Sequence, residues 1–408
     1  MGKLGARFIT VALTAGAAAI ALTPASSQQA NRTVARYTVD AGTLSGMAAM
    51  QAGGRGGGLG SIMNAMRGGN QTAHELILRL GSTRTAANAT PVADHFMPQG
   101  AGLGPSVPLV TPRRTTPGTG TPTGEMPRGR LLLFWGCGEH AGVGQPIVID
   151  FARLARGEVP PGLYAQGLNL PEDWQVLVSN STTYGDWPNA ENGQGLTGTS
   201  SLVGAHRVAG NYSPEISFNL AQDFMPALNP SVSDLASGAA SLRWNGLDQA
   251  TGYYAWSIGA GQNERDMVWW TSSTTQAFGG PFAEWISPTA AGRYVQAGQL
   301  MAPGTTQCAI PAEVRAAGGE AMMTSLYAYG PQVDFSYPPR PARAPRGWQP
   351  DWIARVRFRS MAMVIPGMPG MGSADSGEAT PAPQATPARP RCRGGLRGIA
   401  ERAAGLCD

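Results

Sequence analysis

From His74 onward the apolar residues come in short runs, several alternating with polar residues, and clusters of Gly, Pro, Asn and Asp separate the runs. Alternation of period two belongs to strands, whose successive side chains point to opposite faces. No stretch carries capped helical periodicity of any length, although Asp150–Arg156 has room for one or two turns. The expected class is therefore all-β, arranged as two β-sandwich-like domains.

The expected strands of a first domain, residues 71–228, are Glu75–Leu80, Arg130–Trp135, Pro146–Phe151, Trp174–Asn180, Ala205–Val208 and Glu215–Leu220. The continuous apolar run Leu131–Trp135 suits a central strand buried on both faces. Residues 98–129 read as a Pro/Thr/Gly-rich connector, extended and exposed. A second domain, 229–340, follows Pro226 and Pro230, with strands expected at Ala240–Trp244, Gly252–Ile258, Asp266–Thr271, Cys308–Val314, Thr324–Tyr329 and Val333–Tyr337. In the segment 341–365, Ile353, Arg355, Arg357 and Arg359 share one parity of Trp352–Val364, while Ala354, Val356, Phe358 and Met361 fall largely on the other. That is a half-buried strand with an Arg-lined outer face. Its return to the first sheet would join the two halves of the chain.

Charged residues are only 14% of the chain, against roughly 25% in an average globular protein, and Gly 56 and Pro 33 exceed a fifth of it. A hydrophobic fraction of 42%, with ten each of Trp, Tyr and Phe, still permits a sizeable core. Wholesale disorder, a long coiled coil and a polytopic membrane protein are excluded.

The N-terminus reads as a signal peptide over 1–27. Lys3 and Arg7 precede the uncharged stretch Phe8–Leu22, and small residues at Ala25 and Ser27 suit cleavage before Gln28. The mature chain is expected to be secreted or periplasmic, without a transmembrane segment. Residues 28–339 hold 17 Arg and 21 acids, a balance of −4, whereas 340–408 hold 11 Arg and 5 acids, a balance of +6. The basic end suits anionic envelope polymers, and export leaves little opportunity to meet nucleic acid. Residues 28–70, poor in large apolar side chains and containing Gly53-Gly54-Arg55-Gly56-Gly57-Gly58, are expected to be mostly flexible. Two Met pairs there, Met47/Met50 and Met63/Met66, place thioethers on one face of a helical turn; Cu(I) is a soft-ligand use of such pairs, but no His accompanies them. From Pro366 the composition is that of a low-complexity basic tail, 366–408.

The segment Ser241-Leu-Arg-Trp244-Asn-Gly-Leu-Asp-Gln-Ala-Thr-Gly252-Tyr-Tyr-Ala-Trp256-Ser-Ile-Gly-Ala-Gly261 resembles the B–C strand region of fibronectin type III and related immunoglobulin-like modules. In such modules a Trp ends strand B, and a Gly-Tyr-x-x-aromatic segment carries strand C across the core between two facing sheets. The resemblance covers about residues 230–340 and implies a β-sandwich, used mostly for binding or spacing and carrying no activity by itself. Residues 275–305 depart from it as a long insertion.

Four cysteines in an exported chain read as disulfides with three possible connectivities. The favoured set is Cys392–Cys407, close in sequence, with Cys137–Cys308 stapling the two domains. Cys137-Gly-Glu-His140 is also half of a zinc site with His206 as a distant third ligand, but no second compact pair completes it. There is no nucleophile elbow, no Ser-x-x-Lys in the mature chain, no His-Glu-x-x-His and no phosphate loop.

The preferred reading is an exported, non-enzymatic binding or envelope-interaction protein that needs no cofactor and has a glycan or envelope protein as partner. Trp187, in an apparent loop, and Trp269 with Trp270, on opposite faces of one strand, are the expected binding aromatics. The alternative is a secreted hydrolase with its site around Glu139, His140, Asp150 and His206 of the first domain.

Overall fold

A computed structural model describes residues 33–53, 72–86, 90–112, 129–158 and 175–365, apart from 190, 191, 194, 262–264, 278–281, 283, 320 and 321. The expected signal peptide, the tail 366–408 with the Cys392–Cys407 pairing, and Met63 with Met66 lie outside these residues.

The chain is all-β. In order its strands are β1 (Ala35–Gly46), β2 (Thr72–Ser82), β3 (Ala93–Phe96), β4 (Ser106–Pro108), β5 (Arg130–Trp135), β6 (Ile147–Asp150), β7 (Thr183–Trp187), β8 (Leu196–Thr197), β9 (Gly204–Gly210), β10 (Ile216–Leu220), β11 (Ser231–Asp234), β12 (Ala240–Arg243), β13 (Gly252–Ala260), β14 (Met267–Thr271), β15 (Gln307–Ile310), β16 (Met323–Tyr337) and β17 (Trp352–Val364). Short helices at Met47–Gly53, Phe151–Ala155, Pro288–Gln296 and Ala312–Gly318 interrupt them.

One ten-stranded sheet dominates, in the order β6-β5-β14-β13-β16-β17-β1-β2-β7, with β8 paired to β2 off this path. A four-stranded sheet, β10-β9-β3-β4, and a three-stranded sheet, β11-β12-β15, complete the fold. Both small sheets pack on the same face of the large one. Along β1, Tyr37, Val39 and Ala41 stand beside Ala354, Val356 and Phe358 of β17, and all six join one hydrophobic cluster. That cluster takes in Val208, Ile216 and Phe218 from the four-stranded sheet, and Leu242, Cys308 and Ile310 from the three-stranded one. Two sandwiches thus share one wall. The domain boundary expected near residue 229 is not a boundary between sheets, because β5 and β6 pair alongside β14, and β17 lies between β16 and β1.

The longest strands serve both sandwiches. The first part of β16 pairs with β13, and its last part puts Phe335 against Phe218 of the four-stranded sheet, centroids 4.8 Å apart. The register of β16 on β17 shifts between Tyr329 and Gln332, where the long strand bends from one sandwich to the other. Gly330 sits in that bend; a Cβ there would lie 2.7 Å from the Phe358 carbonyl oxygen. Cys137 and Cys308 are disulfide-bonded across 171 residues, linking the loop after β5 to the three-stranded sheet.

The segment 28–70, expected to be mostly flexible, is corrected over Ala35–Gly46. These residues form β1, inside the large sheet and buried at almost every position. Its lack of large apolar side chains has a physical reason. One face of β1 contributes Tyr37, Val39 and Ala41 to the core, but the opposite face carries Thr38, Asp40 and Gly42 in a buried polar layer. The connector expected to be exposed over 98–129 is likewise anchored in its first part, where Ala101, Leu103, Val107 and Leu109 are buried around β4. Expected strands at Trp174–Asn180 and over the end of Cys308–Val314 are instead a 3-10 turn, Val178–Asn180, and the helix Ala312–Gly318.

The polar layer also revises the outer face of β17. Arg355 pairs with Asp334, Arg357 with Asp40 and Arg359 with Glu75. Arg357 and Arg359 are buried, the latter with its guanidinium 4.1 Å from the centre of the Trp285 ring. Trp285 belongs to residues 273–300, which cover Tyr254, Tyr327 and Tyr329 with the helix Pro288–Gln296. Ser287 caps that helix by accepting the Ala290 N–H, and Pro288 opens its first turn.

Asp40 accepts hydrogen bonds from Arg357 Nε at 2.7 Å, Arg357 Nη2 at 3.0 Å and Arg79 Nη1 at 2.8 Å, and its side chain is 0% exposed. Removing it leaves the buried Arg357 charge uncompensated, a loss of about 3–5 kcal/mol. Urea unfolding of Asp40→Ala is expected to show that loss. Asp334→Ala, which breaks a pair whose carboxylate is 44% exposed, is expected to cost less than about 1 kcal/mol.

Candidate functional site

The four residues of the hydrolase alternative are not assembled. Asp150 caps the helix Phe151–Ala155, accepting the N–H groups of Ala152 at 2.9 Å and Arg153 at 3.0 Å. His140 is exposed, with Nδ1 3.1 Å from Glu313 Oε1, while Glu313 Oε2 accepts the Ala141 N–H at 2.8 Å. Glu139 is exposed and offers its backbone oxygen to the Ala312 N–H. His206 is buried on β9 in the other sandwich. The Cys-x2-His zinc pattern fails for a similar reason: Cys137 is spent on the disulfide, and among the described residues no three His, Cys, Asp or Glu side chains gather as metal ligands.

The expected binding aromatics also need correction. Trp187 is the last residue of β7, not part of a loop, and is 1% exposed; Trp270 is 0% exposed, its Nε1 donating to the Gly136 oxygen at 2.9 Å. Both are core residues and present no face to a ligand. Trp269 points to the opposite face of β14, partly buried against Trp256, with centroids 6.2 Å apart.

His206 instead belongs to a buried chain of hydrogen bonds. Its Nε2 lies 2.7 Å from the Leu202 oxygen, an acceptor only, so Nε2 carries the proton and Nδ1 accepts. His95 Nε2, 3.0 Å from that Nδ1, therefore donates, and His95 Nδ1 accepts the Tyr37 hydroxyl proton at 2.7 Å. In this direction the chain is complete with both imidazoles neutral. Burial, and then the neighbouring His206, push the His95 pKa well below its ordinary value; burial lowers that of His206.

The structure does assemble a cleft at one end of the large sheet, of ≈ 980 Å³. Its floor is the cross-strand row Gly81, Arg36 and Ile353, from β2, β1 and β17. One wall is 176–182 and the other the loop 340–350. Gly81 permits the first wall, since a Cβ there would meet Val176 Cγ1 at 2.9 Å. Backbone bonds fix the walls: Thr182 N–H donates to the Ser82 oxygen, Thr83 N–H to the Val34 oxygen, and Trp348 N–H to the Pro345 oxygen. Ser181 Oγ donates to the Leu177 oxygen at 2.8 Å, and Asn180 Nδ2 to the Gln175 oxygen at 2.6 Å.

The lining is hydroxyl-rich, with Thr33, Thr83, Ser179, Ser181 and Thr182, and among the described residues it contains two cations, Arg36 and Arg340, and no carboxylate. Trp348 is half-buried in the wall, and the Arg340 guanidinium sits 5.8 Å from its ring centre. A second hollow, ≈ 740 Å³, lies beside β4 and β7; it is walled by Pro91, Pro108, Pro112 and Pro188 and carries Asp94 and Asp186. Of these two, the first cleft combines an aromatic face with hydroxyls and positive charge.

Sequence reasoning missed Trp348, Arg340 and Arg36. The signal present was the charge excess from residue 340 onward, where Arg340, Arg343 and Arg346 recur every third residue ahead of Trp348. Comparison of the chain with known protein families, curated proteins and solved structures gives no match.

The histidine chain makes stability pH-dependent with a definite sign. Because folding lowers both pKa values, the unfolded chain binds more protons below about pH 6.5, and stability is lost as pH falls through that value. Urea unfolding at pH 7.5 and pH 5 is expected to show a loss of up to about 2 kcal/mol from His95 at the lower pH. His95→Gln is expected to lower stability at pH 7.5 but to lose less of it on acidification.

Proposed function

We propose that this is an exported, non-enzymatic binding protein, secreted or periplasmic, whose ligand occupies the cleft between 176–182 and 340–350. The composition of that cleft carries the reading. Polar hydroxyls in a fixed wall, one aromatic face and two guanidinium groups suit a sugar-like partner, which presents hydroxyls at its rim and C–H groups on its faces. A glycan of the cell envelope is the partner class this favours. The disulfide supports an oxidising compartment. Among the described residues no helix is long and apolar enough to cross a membrane.

We also read residues 231–364 as a module of the fibronectin type III kind. Support comes from strand order. One sheet runs β11-β12-β15, and the facing strip of the large sheet runs β14-β13-β16-β17, the A-B-E and C′-C-F-G arrangement of such modules. The pairs within each set are antiparallel. Trp244 and Tyr253 from the resembling segment meet between the sheets, ring centroids 5.5 Å apart. In this reading β1 extends the module beyond its last strand and carries the cleft with it.

A panel of immobilised neutral and acidic oligosaccharides tests the binding role. Trp348→Ala is expected to reduce retention on the best ligand about tenfold or more, equivalent to about 1.4 kcal/mol, with an unchanged thermal midpoint because the residue sits in a surface loop. Equal retention of the variant and the parent on every glycan would remove the cleft from the binding role.

A further inference from the structure

We infer that acid releases the four-stranded sheet from the large one, opening their sandwich along a seam that holds three of the chain's four histidines. His74 lies on β2, His95 on β3 and His206 on β9, all buried, while His140 is exposed beside Glu313. Residues 207–408 contain no histidine. The trigger is therefore confined to one sandwich.

The seam has few ties of its own. The four-stranded sheet shares no strand ladder with the large one, and an isolated bridge, Val110 with Asp186, joins their edges as a hinge. Away from that edge, Tyr37 bonds to His95 Nδ1 at 2.7 Å, Thr43 Oγ1 donates to the Met225 oxygen at 2.6 Å, and Ser45 Oγ donates to the Leu228 oxygen at 2.6 Å. The rest is apolar packing, of Val39, Leu76 and Leu78 against Val208, Ile216 and Phe218.

The histidines hold this seam as neutral rings. Tyr37 donates to His95, His95 to His206, and His206 to the Leu202 oxygen. One added proton, on either ring, obliges Tyr37 to accept instead, and its own hydroxyl proton loses that partner. A second proton sets an N–H of one ring against an N–H of the other. No carboxylate is hydrogen-bonded to either ring, so the buried cation is uncompensated. His74 adds a third site. Its ring stacks on Phe224 with centroids 3.8 Å apart, and its Nδ1 lies 3.3 Å from Thr43 Oγ1, the hydroxyl that holds Met225.

The surrounding groups do not offset these charges. Burial raises the pKa values of Tyr37 and Tyr212, and Phe218 and Phe335 supply only ring faces. Asp94, Arg207 and Glu215 take the alternate parity of the small sheet, turned from the seam, while Asp40, Glu75 and Arg79 belong to the polar layer on the far face of the large sheet. Asp223 opposes the shift of His74, but burial outweighs it. Burial lowers all three histidines, so the open seam binds more protons below about pH 6.5, and closure weakens as pH falls through that value. Asp186 at the hinge is raised by burial and works in the opposite direction.

Hydrogen exchange of the full mature chain at pH 7.5 and pH 5, scaled for intrinsic rate, tests the release. Amides of 93–97, 204–210 and 216–220 are expected to open about tenfold or more as readily at pH 5, the ceiling being about thirtyfold for each histidine held neutral. Amides of 252–258 and 323–329, in the other sandwich, are expected to change less than about twofold. His95→Gln is expected to open the seam already at pH 7.5 and to flatten its pH response. Ring NMR of the unsubstituted chain gives a second measurement that needs no variant: His95 and His206 are expected to take up protons over the range in which protection is lost.

Equal loss of protection in both sandwiches would show general acid loosening and overturn the release. Unchanged protection between the two pH values would overturn it as well. So would a local loss that sets in while His95 and His206 remain neutral, or that persists in full in a folded His95→Gln variant, because the trigger would then lie elsewhere.

Discussion

The pairing of β1 with β17 depends on a buried carboxylate and a buried guanidinium meeting without error. Asp40 and Arg357 are cross-strand partners in the register of the two parallel strands, and both are removed from water. Desolvating two charges is expensive, and their attraction compensates only when geometry and remaining hydrogen bonds are good. Here the fork of Arg357 takes both carboxylate oxygens, Arg79 adds a third donor, and Arg357 Nη1 closes on the Trp285 oxygen at 2.7 Å. A one-residue slip of β17 would put Arg357 into the hydrophobic cluster and Val356 into the polar layer. The ion pair therefore fixes register for the strand that joins the two sandwiches.

That same layer explains which parts of the fold were legible. Strands with one apolar and one solvated face announce themselves by alternation, and β9 and β10 were found close to their observed limits. Expected β5 coincides with Arg130–Trp135, and the resembling segment falls on β12 and β13. Strand β1 was invisible because its second face is buried and polar: Thr38, Asp40 and Gly42 are what an exposed face or a loop would also contain. Only the partners Arg79, Arg357 and Glu75, separated from it by up to hundreds of residues, give those positions meaning. The arginine parity of β17 was visible, but the burial of its members was not.

Aromatic residues misled for a related reason. Trp269 and Trp270 were correctly placed on opposite faces of a strand, but the large sheet is covered on both sides there, by the three-stranded sheet and by 273–300. Trp270 is closed off entirely and Trp269 is partly buried against Trp256. Trp348, by contrast, lies among Pro, Arg and Gly, where no periodicity marks a site. The Cys137–Cys308 bridge was recoverable from counting, since an even set of thiols and a short alternative pair left these two together. The histidine chain was not, because His95 and His206 meet only through the pairing of β3 with β9, and Tyr37 reaches them only when that sheet docks on β1.

The location of the cleft follows from the parallel join. Antiparallel neighbours exchange ends, so the start of one lies beside the finish of the next, but β1 and β17 begin together. Val34 N–H and Ala35 N–H both donate to the Asp351 oxygen at that shared start. The flanking antiparallel strands, β2 and β16, finish at the same end, Ser82 beside Ala35 and Tyr337 beside Trp352. Two starts and two finishes bring four chain segments to one edge of the sheet. The connection from Tyr337 to Trp352 has nowhere to run except over this edge, and it is the connection that carries Arg340 and Trp348. The loop after β2 and the segment before β7 supply the hydroxyl wall by the same geometry. Thus the ion pair that sets the β1–β17 register also sets which side chains face each other across the opening.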